Sequence, residues 1–150
     1  MKRIIILACI FFQAFSFGCN NTDADNNHKN EPRFYNPTIG EGPFSKVEIP
    51  APIDEKIANQ GALVFSNKCM SCHKTTSEKL IGPGLLGVTG RHSPEWILNY
   101  LTNTEAMQSK DDELKKMIAV YTIRMPGLQL SREEALAVFE YLRKNDIEHK

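Results

Sequence analysis

Residues 67–76 read NKCMSCHKTT, and Cys69-Met70-Ser71-Cys72-His73 within them sets the question for the whole chain. Two thiols stand three apart and an imidazole follows at once. Three chemistries use such a cluster. A zinc site needs about four nitrogen or sulfur ligands. The chain has four cysteines, but Cys9 lies in an N-terminal apolar run and Cys19 lies far from the pair. His73, His92 and His149 remain as fillers, and neighbouring Cys72 and His73 are awkwardly placed to chelate one tetrahedral ion. A thiol–disulfide couple places its first thiolate at a helix N-terminus in a βαβ setting. Here the pattern before Cys69 is helical, so the pair ends a helix. The third reading is covalent haem attachment. Two vinyl groups on neighbouring pyrroles each take one thiol, and two intervening residues let one turn of chain reach both. His73 then lies beneath the ring with its imidazole aimed at the iron.

The N-terminus bears on that choice. Met1-Lys2-Arg3 precedes IIILACIFFQAFSF, an uncharged run over residues 4–17. It is short and early for a membrane span and has the n-region and h-region of an export signal. Gly18-Cys19 before a polar stretch resembles the cleavage site of a bacterial lipoprotein. Residues 1–18 are therefore expected to be a signal peptide and Cys19 the lipidated residue. The alternative is ordinary cleavage that leaves Cys19 as a spare thiol. Export is the setting in which haem is attached to such motifs. Charge does not suggest a nucleic-acid-binding patch: 18 basic residues balance 18 acidic ones, and losing Lys2 and Arg3 leaves the remainder slightly acidic.

Residues 20–36, NNTDADNNHKNEPRFYN, are polar and without apolar periodicity, so they cannot bury enough surface to offset their ordering entropy. They are expected to be a flexible tether, with His28 a solvated histidine. Residues 37–52 hold Pro43, Pro50 and Pro52, which exclude a helix. KVEI alternates, so an extended arm is expected, with Phe44, Val47 and Ile49 along the folded domain. Tether and arm together, residues 19–52, would reach on the order of 30 Å as a coil and about 110 Å at full stretch.

From residue 53 the pattern is helical. Asp54 is a cap, and Ile57, Gly61, Val64 and Phe65 form a stripe. A glycine on an apolar face marks close approach of another backbone. LIGPGLLGVTGR is too rich in glycine and proline for regular structure. Ser93 and Pro94 open a second helix with Trp96, Ile97, Tyr100 and Leu101 on one face. DDELKKMIAVYTI makes a third, with Leu114, Met117, Ile118 and Tyr121 inward. Ser131 and Glu134 form the capping box of a fourth, whose inner face is Ala135, Leu136, Phe139 and Leu142. The fold class is all-α: about four helices over residues 53–150, around one covalently bound haem.

A second axial ligand must come from Met70, Met107, Met117, Met125, His92 or His149. Met70 is inside the attachment loop. Met107 lies in a polar connection, and Met117 belongs to a helix stripe. Met125 follows a helix, lies outside the stripe and precedes Pro126-Gly127, which hold a loop open. A thioether on a stiff loop raises the reduction potential. His92 is held in reserve as a ligand.

GALVFSNKCMSCH, GPGLLGVTGR, RMPG and VFEYLRK together resemble a class I cytochrome c over about residues 53–146. The resemblance implies that Gly61 and Phe65 of the first helix pack against Tyr141 of the last. It implies that the Pro83 carbonyl accepts the His73 ring N–H, a contact that orients the ligand. Leu85 would pack on the ring, Arg91 would neutralise a propionate, and Trp96 would either offer its indole N–H or serve as core. Met125-Pro126 matches the family's Met-Pro pair.

The expected protein is therefore an exported, membrane-tethered mono-haem electron carrier, not an enzyme, on the periplasmic side of a bacterial membrane. Its expected partners are redox proteins: a quinol-oxidising complex as donor, and a terminal oxidase or nitrogen-oxide reductase as acceptor. The rivals are a haem-based ligand sensor and a haem subunit fixed in a larger oxidoreductase.

Overall fold

Helix α1, Glu55–Lys68, crosses helix α6, Arg132–Glu148, and that crossing frames the molecule. The computed structural model describes residues 34–150; the expected signal peptide, Cys19 and most of the tether lie outside them. Asp54 caps α1, accepting the Ile57 N–H at 3.0 Å. The buried face of α1 is Ala58, Gly61 and Phe65, with Cys69 next along it. Ile57 stands outside this stripe and is exposed, because Ala58 one position on is the residue that meets α6. A Cβ on Gly61 would lie 1.9 Å from the Ala137 carbonyl oxygen. The helices touch there backbone to backbone, and only glycine fits. One turn further, the Phe65 and Tyr141 rings meet at 5.3 Å.

At the start of α6, the Glu134 N–H donates to Ser131 Oγ at 3.1 Å and the Ser131 N–H to Glu134 Oε2 at 2.9 Å. This reciprocal cap satisfies two otherwise free donors. Between α1 and α6 lie α2 (Val88–Arg91), α3 (Pro94–Thr102), α4 (Thr104–Lys110) and α5 (Asp112–Tyr121). No strand occurs among the described residues.

Two of the six helices are absent from the sequence expectation. Helix α2 has four residues inside the Gly- and Pro-rich stretch. Its cap comes from elsewhere in the chain. The buried Asp146 carboxylate on α6 accepts the Gly87 N–H at 2.6 Å and the Thr89 N–H at 2.9 Å. Helix α4 replaces the expected polar connection. Met107 there is wholly buried, and its sulfur receives the Glu41 N–H at 2.9 Å.

The arm, residues 34–52, lies on the domain. Phe44 is 1% exposed, a burial that contributes about 1.5–3 kcal/mol, and the Arg132 guanidinium covers its ring at 4.3 Å. The buried Asn99 of α3 stands in for a strand partner. Its Oδ1 accepts the Phe44 N–H at 2.9 Å, and its Nδ2 donates to the Ile39 and Phe44 carbonyls at 2.8 Å. Composition places Tyr35 in the tether; in the structure its hydroxyl donates to Asp111. The arm thus packs as part of the domain.

Asp111 is the hub beneath the arm. Its Oδ2 accepts from Tyr35 and from the Trp96 indole at 3.0 Å, and its Oδ1 accepts the Leu114 N–H at 2.9 Å, capping α5. Burial pushes its carboxyl pKa up, but the donors from Tyr35, Leu114 and Trp96 outweigh that and hold it below the usual carboxylate range. A carboxyl lowered on folding stabilises fully above its unfolded pKa of about 3.9 and loses that contribution as pH falls further. Asp111→Asn turns an amide NH2 toward one of these donor sets. It is expected to lower stability at pH 7 by about 2–3 kcal/mol and to flatten the acid limb below about pH 4. Urea titrations from pH 3 to pH 7 check both.

Candidate haem site

Cys69 is the C-cap of α1, and the chain then makes a single turn, with the Cys72 and His73 N–H groups donating to the Cys69 carbonyl at 3.0 and 2.9 Å. This turn brings Cys69, Cys72 and His73 to one wall of an apolar cavity. Burial pushes the Cys69 thiol up to about 11. A reactive thiol needs the opposite shift, and Cys69 stands at the C-terminal end of α1 where such a thiol would be at a helix N-terminus, so the surroundings disfavour a thiol–disulfide couple. Among the described residues no three His, Cys, Asp or Glu side chains converge as a metal cluster, so the pair has no zinc-site companions there.

The chain next returns over the turn. The Gly82 N–H donates to the Cys72 carbonyl at 2.8 Å and the Leu85 N–H to the Lys74 carbonyl at 2.9 Å. His73 Nδ1 lies 2.9 Å from the Pro83 carbonyl oxygen. A carbonyl only accepts, so Nδ1 carries the proton and the neutral ring keeps its lone pair on Nε2. A Cβ at Gly82 would sit 2.5 Å from His73 Cε1, so this glycine makes room for the imidazole. Leu85 lines the cavity beside them.

Helix α2 carries Arg91 to the cavity rim, exposed, with Nη1 donating to the Leu86 carbonyl at 2.6 Å. His92 stacks on Trp96 at 3.9 Å and pairs with Glu113 at 3.5 Å. Burial pushes its pKa down, outweighing the pull of the Glu113 charge. Trp96 lines the cavity with its ring, but its indole N–H is already given to Asp111. Of the two expected readings of Trp96, the contacts agree with the core one: the ring supplies apolar surface.

Helix α5 and the segment after it also line the cavity. Met117, Ile118 and Tyr121 line the cavity half-buried, so most of this helix stripe faces the cavity rather than side chains. Met125 lines it too. Met107 is committed to the arm, and Met70 is 56% exposed.

The cytochrome c family matches residues 58–146, more than half of the chain. The chain belongs to the cytochrome c family. Cytochrome c from Rhodothermus marinus is similar at 34% identity and a TM-score of 0.69, over 71% of this chain and 91% of that one. An engineered form of that protein, bound to a carbene intermediate, is similar at 35% identity and a TM-score of 0.65, over the same shares. As a cytochrome c this protein is an electron carrier with covalently attached haem c, and its all-helical fold is that of the family.

The residues present fit that cofactor. An imidazole with a free Nε2, two thiols one turn apart, an apolar helix face and a cationic rim meet at one cavity. Sequence reasoning passed over several supporting side chains of this cytochrome. Asn99, Gln108 and Asp146 are buried polar groups that hold the arm, the loop after α5 and α2. Each works across more than ten residues of sequence, so no local pattern marks it. A polar residue beside a helix stripe was the available signal, and it also describes ordinary surface positions.

Proposed function

We propose that Cys69 and Cys72 would hold the haem of this cytochrome c through thioethers, and that His73 and Met125 would ligate its iron. Pro83 orients His73, Leu85 packs on the ring, and Arg91 neutralises a propionate. The observation that carries the reading is the His73–Pro83 hydrogen bond at the cavity wall. It fixes the tautomer, which leaves the Nε2 lone pair for a metal. Bound there, haem supplies one-electron chemistry, its iron alternating between ferric and ferrous states. The chain's part is to fill both axial positions, to exclude water with α5 and Leu85, and to keep one edge open to partners.

Both Met117 and Met125 line the cavity. Met125 is favoured because it lies on a loop outside the helical packing, whereas Met117 belongs to the apolar stripe of α5. His92 is already stacked on Trp96, with its Nε2 3.5 Å from Glu113. Met125→Ala is expected to abolish the sulfur-to-iron absorption in the far red and to lower the reduction potential on the order of 0.2 V. It is also expected to admit carbon monoxide rapidly to the reduced protein. Met117→Leu keeps the low-spin spectrum. A spectrum lost in Met117→Leu and kept in Met125→Ala would exchange their roles. Rapid carbon monoxide binding by the unaltered protein would favour a ligand sensor.

The proposed setting is export across a bacterial inner membrane and anchoring through a lipidated Cys19. From there the protein would carry electrons from a quinol-oxidising complex to a terminal oxidase or nitrogen-oxide reductase. Its support is the charge-flanked apolar run, Gly18-Cys19 and the polar residues after them. Mass spectrometry of the mature N-terminus tests it, acyl chains on Cys19 being the expected result. An unmodified Cys19 removes the anchor, and co-purification at fixed stoichiometry with a larger complex would replace the mobile carrier.

A further inference from the structure

We infer that Gln108 is the positioning residue for the Met125 ligand loop, an inference that rests on Met125 being the sixth ligand. Residues 123–130 carry no helix, and among the described residues no backbone–backbone hydrogen bond ties them to the rest of the protein. Their hydrogen bonds go instead to one side chain. Gln108 Nε2 donates to the Met125 carbonyl at 2.7 Å, and Gln108 Oε1 accepts from Arg124 Nε at 3.1 Å. The amide orientation is forced, since a carbonyl can only accept and a guanidinium can only donate.

Gln108 is 2% exposed. Water therefore cannot readily reach the Gln108 amide, and either of its polar atoms left unpaired would bear a desolvation cost. A second contact runs from Nε2 to the Tyr100 hydroxyl at 3.4 Å. The neighbouring Met107 is locked to the arm by the Glu41 N–H, so the platform carrying the amide is itself held. The position in the chain matters most. Gln108 grips the backbone of the ligating residue itself, so a displaced sulfur must strain or break that hydrogen bond as the loop moves.

The test uses haem-loaded protein and imidazole as the competing ligand in the ferric state. Gln108→Leu removes both contacts. Gln108→Glu keeps the side-chain volume and the acceptor for Arg124 but loses the donation to Met125. Both are expected to raise imidazole affinity by about tenfold, the effect of one hydrogen bond, and to weaken the far-red absorption. Ala106→Gly loosens the same short helix without touching the amide and is expected to lower the melting temperature alone. Unchanged imidazole affinity in both Gln108 variants, with a rise in Met125→Ala, overturns the role of Gln108 and leaves the ligand assignment standing. An equal rise in Ala106→Gly reduces the effect to helix stability and overturns it as well. If Met125→Ala changes neither readout, the ligand assignment fails and this inference falls with it.

Discussion

Cys69→Ala/Cys72→Ala is expected to yield a chain with no haem colour on a denaturing gel and with much of its helical signal lost. Two thioethers are the proposed covalent link, so their removal leaves at most axial coordination, which does not survive denaturation. The structural consequence reaches further. Met117, Ile118 and Tyr121 of α5 face the cavity, together with Leu85 and the Trp96 ring. That apolar surface has the cofactor for its partner. Domains of this size are stable by about 5–15 kcal/mol, and a ligand that binds only the folded state adds its binding free energy to that sum. The double variant is thus expected to melt broadly by far-ultraviolet circular dichroism. Each single variant retains one attachment and is expected to be intermediate. A colourless but fully helical, cooperatively melting double variant would show that the core closes without the cofactor.

Gly61→Val is expected to be the most damaging substitution remote from the cavity. The Cβ position overlaps the Ala137 carbonyl, with its oxygen at 1.9 Å and its carbon at 2.4 Å, and lies 2.9 Å from Tyr141 Cβ. The obstacle is backbone, so no rotamer change relieves it. Helices α1 and α6 must part by more than an ångström. That breaks the Phe65–Tyr141 contact and shifts Cys69, which sits two turns along α1. The expected cost exceeds about 4 kcal/mol, at the top of the range for single substitutions. Gly90→Ala is the contrast. Nothing lies within 4 Å of its Cβ position, and a change within about 1 kcal/mol is expected, in the direction of helix propensity. Parallel chemical denaturation of the two variants checks the argument, and equal losses would refute it.

Particular elements show how far the chain could be read in advance. Helices α1, α3, α5 and α6 were legible because each carries its own cap and stripe. Asp54, Ser93, Asp111 and Ser131 all accept a backbone N–H at their helix starts. The packing of Gly61 and Phe65 on Tyr141 was legible through resemblance, and the structure brings them together. Helices α2 and α4 were not legible. One begins at a left-handed Gly87 and takes its cap from Asp146 on α6; the other has a wholly buried Met107 in a seven-residue segment rich in polar side chains. Segments that short cannot carry a helix by propensity alone.

By itself the sequence determined the cofactor class, the helical class and the four self-capped helices. Those depend on spacings within a few residues, and short-range geometry is written directly in residue order. Only the tertiary structure decided that Asn99 holds the arm to the domain, that Trp96 spends its indole N–H on Asp111, that two sulfurs line the cavity, and that Gln108 grips the Met125 backbone. The groups involved are polar side chains whose partners lie far along the chain. Their roles arise only when the core has closed and removed the water that would otherwise have satisfied them.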